Sequence, residues 1–156
     1  MLNTLNDGEM VITTNIFYTP KQDDIIVFHQ TASPGNTSVT ALNKPVIKRV
    51  IATEGQTVKL VYVSDNEMKI YVDGVEYTDE HAYFDPLRNH IYPQHGKTEI
   101  DGEYEWTVPE GHVFVLGDNR DNSNDSRSKE IHFVDERRIL GKALFRIKPF
   151  TWLSSK

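Results

Sequence analysis

Val113-Phe114-Val115-Leu116 runs straight into Gly117-Asp118-Asn119-Arg120-Asp121-Asn122-Ser123-Asn124-Asp125-Ser126-Arg127, and this junction decides how the chain is read. Four apolar residues of high β propensity predict a buried strand, and the eleven that follow carry no apolar side chain. Asp, Asn and Ser favour turns because their short side chains hydrogen-bond to nearby backbone, so a solvated turn is the plain reading of such a loop. Eleven in succession predict more, namely a loop whose backbone and hydroxyls are held by local hydrogen bonds at the end of a rigid strand. A calcium loop fails on the count. Starting from Asp121, Ser123 and Asp125 fall at ligand positions, but Ser126 stands where the sharp turn needs Gly and His132 where the bidentate Glu belongs.

Outward from this junction the chain offers short β-branched and aromatic runs over 10–17, 25–28, 46–51, 58–63, 69–72, 104–108, 112–116 and 139–147. Turn residues separate them: Ser33-Pro34-Gly35-Asn36, and Asp73-Gly74, a hairpin signal between Tyr71-Val72 and Val75-Glu76. The expected fold is mostly β, with at most a helical turn over 135–138 and no internal repeat. Residues 79–102 break the rhythm with Pro86, Pro93 and three histidines, and read as a long loop or insertion on the β core. His81, Asp85, His90 and His95 raise the question of a metal site, but their spacings fit no standard zinc pattern, so no metal is expected.

At 156 residues the chain suits one domain, 1–156, with its own core. Its 38% apolar and 26% charged composition is ordinary for a globular chain, and a net charge of −6 with no basic patch argues against nucleic acid as partner. The absence of cysteine removes disulfides, a thiol nucleophile and thiolate zinc sites, and is compatible with either side of a membrane. No run of about 18 apolar residues and no cleavable targeting segment is present, so any membrane anchor lies outside this chain.

Lys48 lies within Pro45-Val46-Ile47-Lys48-Arg49-Val50-Ile51, where alternation puts Val46, Lys48 and Val50 on one strand face and Ile47, Arg49 and Ile51 on the other. Taken alone, either basic residue can be explained as snorkelling from a sheet edge.

Residues 117–127 match, at every specified position, the motif Gly-Asp-Asn-Arg-Asp-Asn-Ser-x-Asp-Ser-Arg of the bacterial type I signal peptidases. Asp24-Ile25-Ile26-Val27-Phe28 and Lys48-Arg49-Val50-Ile51-Ala52-Thr53-Glu54-Gly55-Gln56 resemble two further blocks of that family in the right order, so the likeness spans about residues 1–150. The resemblance implies a complex β fold of antiparallel sheets, shared with self-cleaving repressors, and a membrane-anchored serine endopeptidase that removes signal peptides after Ala-x-Ala on the extracytoplasmic side, using a Ser/Lys dyad without metal or cofactor. It assigns Lys48 as the general base. An ordinary lysine, with a pKa of about 10.4, is protonated at pH 7, so this amine has to be buried away from carboxylates. Val46, Val50 and the strand at 24–28 are expected to supply the apolar wall.

By the same resemblance Ser123 stands against the amine, Asp125 and Arg127 form a supporting ion pair, and Asp118 is expected to brace the loop with Arg120. Met1, Leu5, Val27, Val46 and Ile47 are expected to line shallow apolar substrate pockets. The family's nucleophile lies in Ser-Met-x-Pro-Thr-Leu, and Met1-Leu2-Asn3-Thr4-Leu5 fits from its methionine onward with Asn3 in place of proline. The expected serine is therefore the residue before Met1, and the chain as given is expected to be inactive. Either the chain is a fragment cut free of its anchor and serine, or the parent lacks the serine and is a silent peptide-binding or assembly module. Removal of an N-terminal segment would leave an apolar groove through which the fragment is expected to self-associate. A Ser/His/Asp hydrolase with His112 or His132 as base lacks the Gly-x-Ser-x-Gly elbow.

Overall fold

Strands of alternating or continuous apolar character have to bury a face against a second layer, and here two antiparallel sheets do so. The structure is a computed structural model that describes residues 10–30, 45–64, 67–85, 87, 93 and 102–147. Its strands are β1 (Met10–Thr14), β2 (Ile25–His29), β3 (Pro45–Thr53), β4 (Thr57–Ser64), β5 (Glu67–Val72), β6 (Val75–Tyr77), β7 (Glu103–Thr107), β8 (His112–Leu116), β9 (Val134–Asp135) and β10 (Ile139–Ile147). One sheet has the order β1-β10-β2-β3-β8-β9 and the other β6-β5-β4-β7.

The long strand β3 joins the two cores. Its register with β8 slips between Val50 and Ala52. Val50 therefore packs with Ile26, Phe28, Val113, Val115, Ile131 and Val134, while Ile51 and Ala52 enter a second cluster with Val58, Leu60, Ile70, Trp106, Phe114 and Leu116. Alternation along β8 splits its side chains in the same way, Val113 and Val115 to the first cluster and Phe114 and Leu116 to the second. A bulge thus lets one continuous apolar run serve two cores.

The mostly β expectation holds, and the Asp73-Gly74 turn closes β5 on β6 with both residues at positive φ, 51° and 79°. The strand expected over 10–17 ends at Thr14, because Phe17 turns at φ 49°. The helical turn is a single 3-10 turn, Glu136–Arg138, capped by the Asp135 carboxylate on the Arg137 amide at 2.9 Å. The turn expected at 33–36 lies outside the described residues. Of the 79–102 segment, 79–85, 87, 93 and 102 are described, and 79–85 carry no strand or helix.

Candidate functional site

Residues 117–127 are buried far beyond what a polar turn requires. Asp118, Arg120, Asp125 and Ser126 are 0% exposed and Arg127 is 1% exposed. Burying such groups is costly unless each finds a partner, and the partners come both from within the loop and from the elements around it. Ser126 pairs back onto β8, its amide donating to Val115 O at 3.0 Å and its hydroxyl accepting from the Val115 amide at 2.9 Å. The Asp125 carboxylate accepts from the Gly117 amide at 3.1 Å and from Arg127 through Nε at 2.9 Å and Nη2 at 2.8 Å. Burial alone pushes the Asp125 carboxyl up, but the Arg127 charge and these hydrogen bonds hold it below its ordinary value. Arg127 also donates to Arg120 O at 2.7 Å and hydrogen-bonds Tyr62 of β4, tying the loop to the second sheet. The Tyr62 hydroxyl, buried, is pushed up to about 12.

Lys48 sits in β3 directly opposite Ile26 of β2, on the face that also carries Val46, Val50 and Phe28. Its amine donates to its neighbour's carbonyl, Ile47 O, at 3.1 Å, and forms no ion pair with a carboxylate among the described residues. Burial lowers its pKa below the ordinary lysine value. The nearby charges of Asp125 and Asp118 push the other way, and Arg127 adds to the lowering.

Gly117 separates this lysine from the loop. A Cβ there would overlap the Ser123 hydroxyl, lie 2.7 Å from Ser123 Cβ and meet Lys48 Cδ at 3.5 Å. The absent side chain is what lets Ser123 and the Lys48 stem share one small space. The Ser123 hydroxyl is buried and makes no hydrogen bond among the described residues, to Lys48 or to any other group. Lys48, Ser123, Asp125 and Arg127 are thus brought together around Gly117, the Ser123 hydroxyl making no hydrogen bond among the described residues and the Lys48 amine holding only its neighbour's carbonyl.

Asp118 does not brace Arg120. It forms a two-pronged ion pair with Arg49 of β3, Nε to Oδ1 and Nη2 to Oδ2, both 3.1 Å. The reason is reach: Arg49 lies on the β3 face opposite Lys48, beside the strand end from which Asp118 departs. Arg120 instead pairs with Asp79 and donates to Gly117 O at 3.0 Å. Asp79, Arg49 and Tyr62 were not among the expected site residues. Their partners are distant in sequence, and only the neighbouring residue types of the 48–56 block hinted at Arg49.

Of the expected pocket residues, Val46 shares the face of Lys48, whereas Val27 pairs with Ile47 on the opposite face. Val27 is buried and Val46 and Ile47 are half-buried. Met1, Leu5, His90 and His95 lie outside the described residues. Among the described residues no group of three or more His, Cys, Asp or Glu could hold a metal. His112 shares Nδ1 with Glu110 O at 2.7 Å, and His132, at φ 50°, packs edge-on against Phe133.

The signal peptidase, peptidase S26 family profile matches residues 1–148. The chain belongs to that family. It is 37% identical to a probable signal peptidase I-1 of Synechocystis, over 96% of this chain and 67% of that protein, and 31% identical to signal peptidase IB of Staphylococcus aureus, over 95% and 73%. A crystal structure of a signal peptidase I from Enterococcus faecalis superposes with a TM-score of 0.54 at 28% identity, covering 82% of this chain and 98% of that one. The signal peptidase I of Pseudomonas aeruginosa is matched over 48% of its length, so the chain spans about half to three quarters of its curated relatives. The fold is that of a type I signal peptidase domain. Among the described residues no helix is long and apolar enough to cross a membrane.

Proposed function

We propose that this chain is the extracytoplasmic catalytic domain of a membrane-anchored serine endopeptidase that cuts signal peptides from secretory preproteins after Ala-x-Ala. The observation that carries this reading is the half-buried Lys48 amine, lowered in pKa, with no carboxylate ion pair among the described residues and with Ser123 facing the Lys48 stem across Gly117. A lysine that gives up its proton more readily than usual is suited to act as a general base toward a nucleophile that needs activating. The nucleophile in this reading is a serine immediately before Met1.

Lys48 takes the proton of that serine as its oxygen attacks the scissile carbonyl. The resulting ammonium then protonates the departing amine, and the amine of Lys48 activates water for hydrolysis of the acyl-enzyme. Ser123 accepts a hydrogen from the amine and points its lone pair at the serine. Asp125 and Arg127 hold Gly117 and so the spacing between Ser123 and Lys48. Peptide would dock as an extended strand, which orients the scissile bond through main-chain hydrogen bonds, with Met1, Leu5, Val27, Val46 and Ile47 shaping pockets for small side chains. No metal or cofactor takes part.

Membrane apposition is supported by the β1–β10 ribbon, where Met10 and Ile12 project beside Phe145, all exposed. Self-association of the free domain through the apolar groove that a missing N-terminal segment would leave is proposed as well, and a strictly monomeric profile at high concentration contradicts that. The test of function is cleavage of an Ala-x-Ala signal-peptide substrate by the encoded protein, extended upstream through the residue before Met1, with Lys48→Met beside it. Cleavage abolished by the substitution is expected. Absence of cleavage, with a residue other than serine before Met1, overturns the peptidase in favour of a silent peptide-binding module.

A further inference from the structure

The segment that opens the 79–102 insertion is fastened to the polar loop at three points. Asp79 pairs with Arg120 through Nη1, the Arg120 side chain fully buried and that of Asp79 11% exposed. Tyr83 forms a parallel bridge around Asn119, its amide donating to Asp118 O at 2.7 Å and its carbonyl accepting from the Arg120 amide at 2.9 Å. The Asp85 amide donates to Asp121 Oδ2 at 2.8 Å. Just upstream, Tyr77 donates to the Asp23 carboxylate, whose backbone carbonyl accepts from Arg49 at 3.1 Å.

Arg120 is the part of this contact that points at the site. Its Nη1 meets Asp79 while its Nε holds Gly117 O, and Gly117 is the residue across which Ser123 and the Lys48 stem meet. Among the described residues neither Arg120 Nη1 or Nη2 nor either Asp79 carboxylate oxygen makes a hydrogen bond, so the contact is one of charge, and Asp79 supplies the charge that makes a buried guanidinium tolerable there. We propose that Asp79 is a positioning residue for the Ser123/Lys48 site, acting through Arg120 on the Gly117 carbonyl, and that the root of the insertion is a strap that sets the loop. The role in cleavage rests on the peptidase reading above, while the mechanical coupling does not.

Two readouts on the full-length protein keep these apart. Asp79→Asn preserves shape and removes the charge. In peptide cleavage normalised to folded enzyme, it is expected to lower kcat about 10- to 100-fold with KM within about twofold, the scale of a small misplacement at a reacting centre. Asp79→Glu restores the charge and is expected to recover part of the loss, and the exposed neighbour Glu80→Gln is expected to match the parent. Amide hydrogen exchange is the second readout: Asp79→Asn is expected to speed exchange across 117–127 while leaving β5 and β6 as in the parent. Unchanged kcat in Asp79→Asn, or exchange raised equally in all strands, overturns the proposal. If the parent cleaves nothing, the peptidase reading has failed, and exchange across 117–127 alone decides whether Asp79 sets the loop.

Discussion

At Asp73-Gly74 the chain reverses in the open, and at 117–127 the same residue types turn inward. In the first, both residues are exposed at positive φ, and the Asp73 carboxylate accepts from the Thr57 amide at 2.8 Å and Gln56 Nε2 at 3.0 Å. Both partners sit at the start of β4, beside the turn, in exposed hydrogen bonds. In the second, two arginines and three aspartates are at or below 4% exposure, and charged partners come from β3 and from the root of the insertion. The difference teaches that polar composition reports a turn, while charged partners brought in by other elements decide whether that turn stays in water or becomes the wall of a site.

The largest effect that would break this contrast is expected at Asp125. Asp125→Ala leaves Arg127 buried without its counter-charge, and urea unfolding should show a loss of about 3–5 kcal/mol. The pH dependence follows from the lowered carboxyl. Its stabilisation is fully present above the unfolded value of about 3.9 and is lost as pH falls through the lower folded one, so the parent's acid transition should steepen below about pH 4 and the variant's should not.

Gly117→Ala comes next. The added methyl collides with Ser123, and a cost of about 1–3 kcal/mol is expected with loss of cleavage. Gly74→Ala has open space around it but keeps φ +79°, so it should cost about 1–2 kcal/mol and leave cleavage as it was. A comparable loss of activity from both glycines would erase the distinction between the two turns.

The smallest expected effect is a gain. Lys48 binds its proton less tightly folded than unfolded, so burial of the amine costs stability in full below its lowered pKa, and the cost fades as pH rises to about 10.4. Lys48→Met should therefore raise Tm at neutral pH, at roughly 2–4 °C per kcal/mol recovered, with the advantage vanishing above about pH 10.4.

How much of this was legible follows the range of the interactions. The β8 strand, the Asp73-Gly74 hairpin and the alternation of β3 rest on near neighbours and were read from residue order. The Asp125–Arg127 pair, two residues apart, was expected from the family motif. Asp118 was assigned to Arg120, two residues away, but bonds Arg49 across 69 positions. Arg120 reaches back to Asp79 in the segment that reads only as a loop. Neither pairing has a local signature, because each depends on where β3 and the insertion root lie once the sheets have packed.

The proposed chemistry rests on Lys48 giving up its proton more readily than an ordinary lysine, and its titration tests this most directly. Lysines of the full-length protein labelled at the amine, with Lys48→Met to assign the signal, can be followed by NMR against pH. A midpoint for Lys48 clearly below the ordinary lysine value of about 10.4 is the expected result. A midpoint at or above that value would contradict the account.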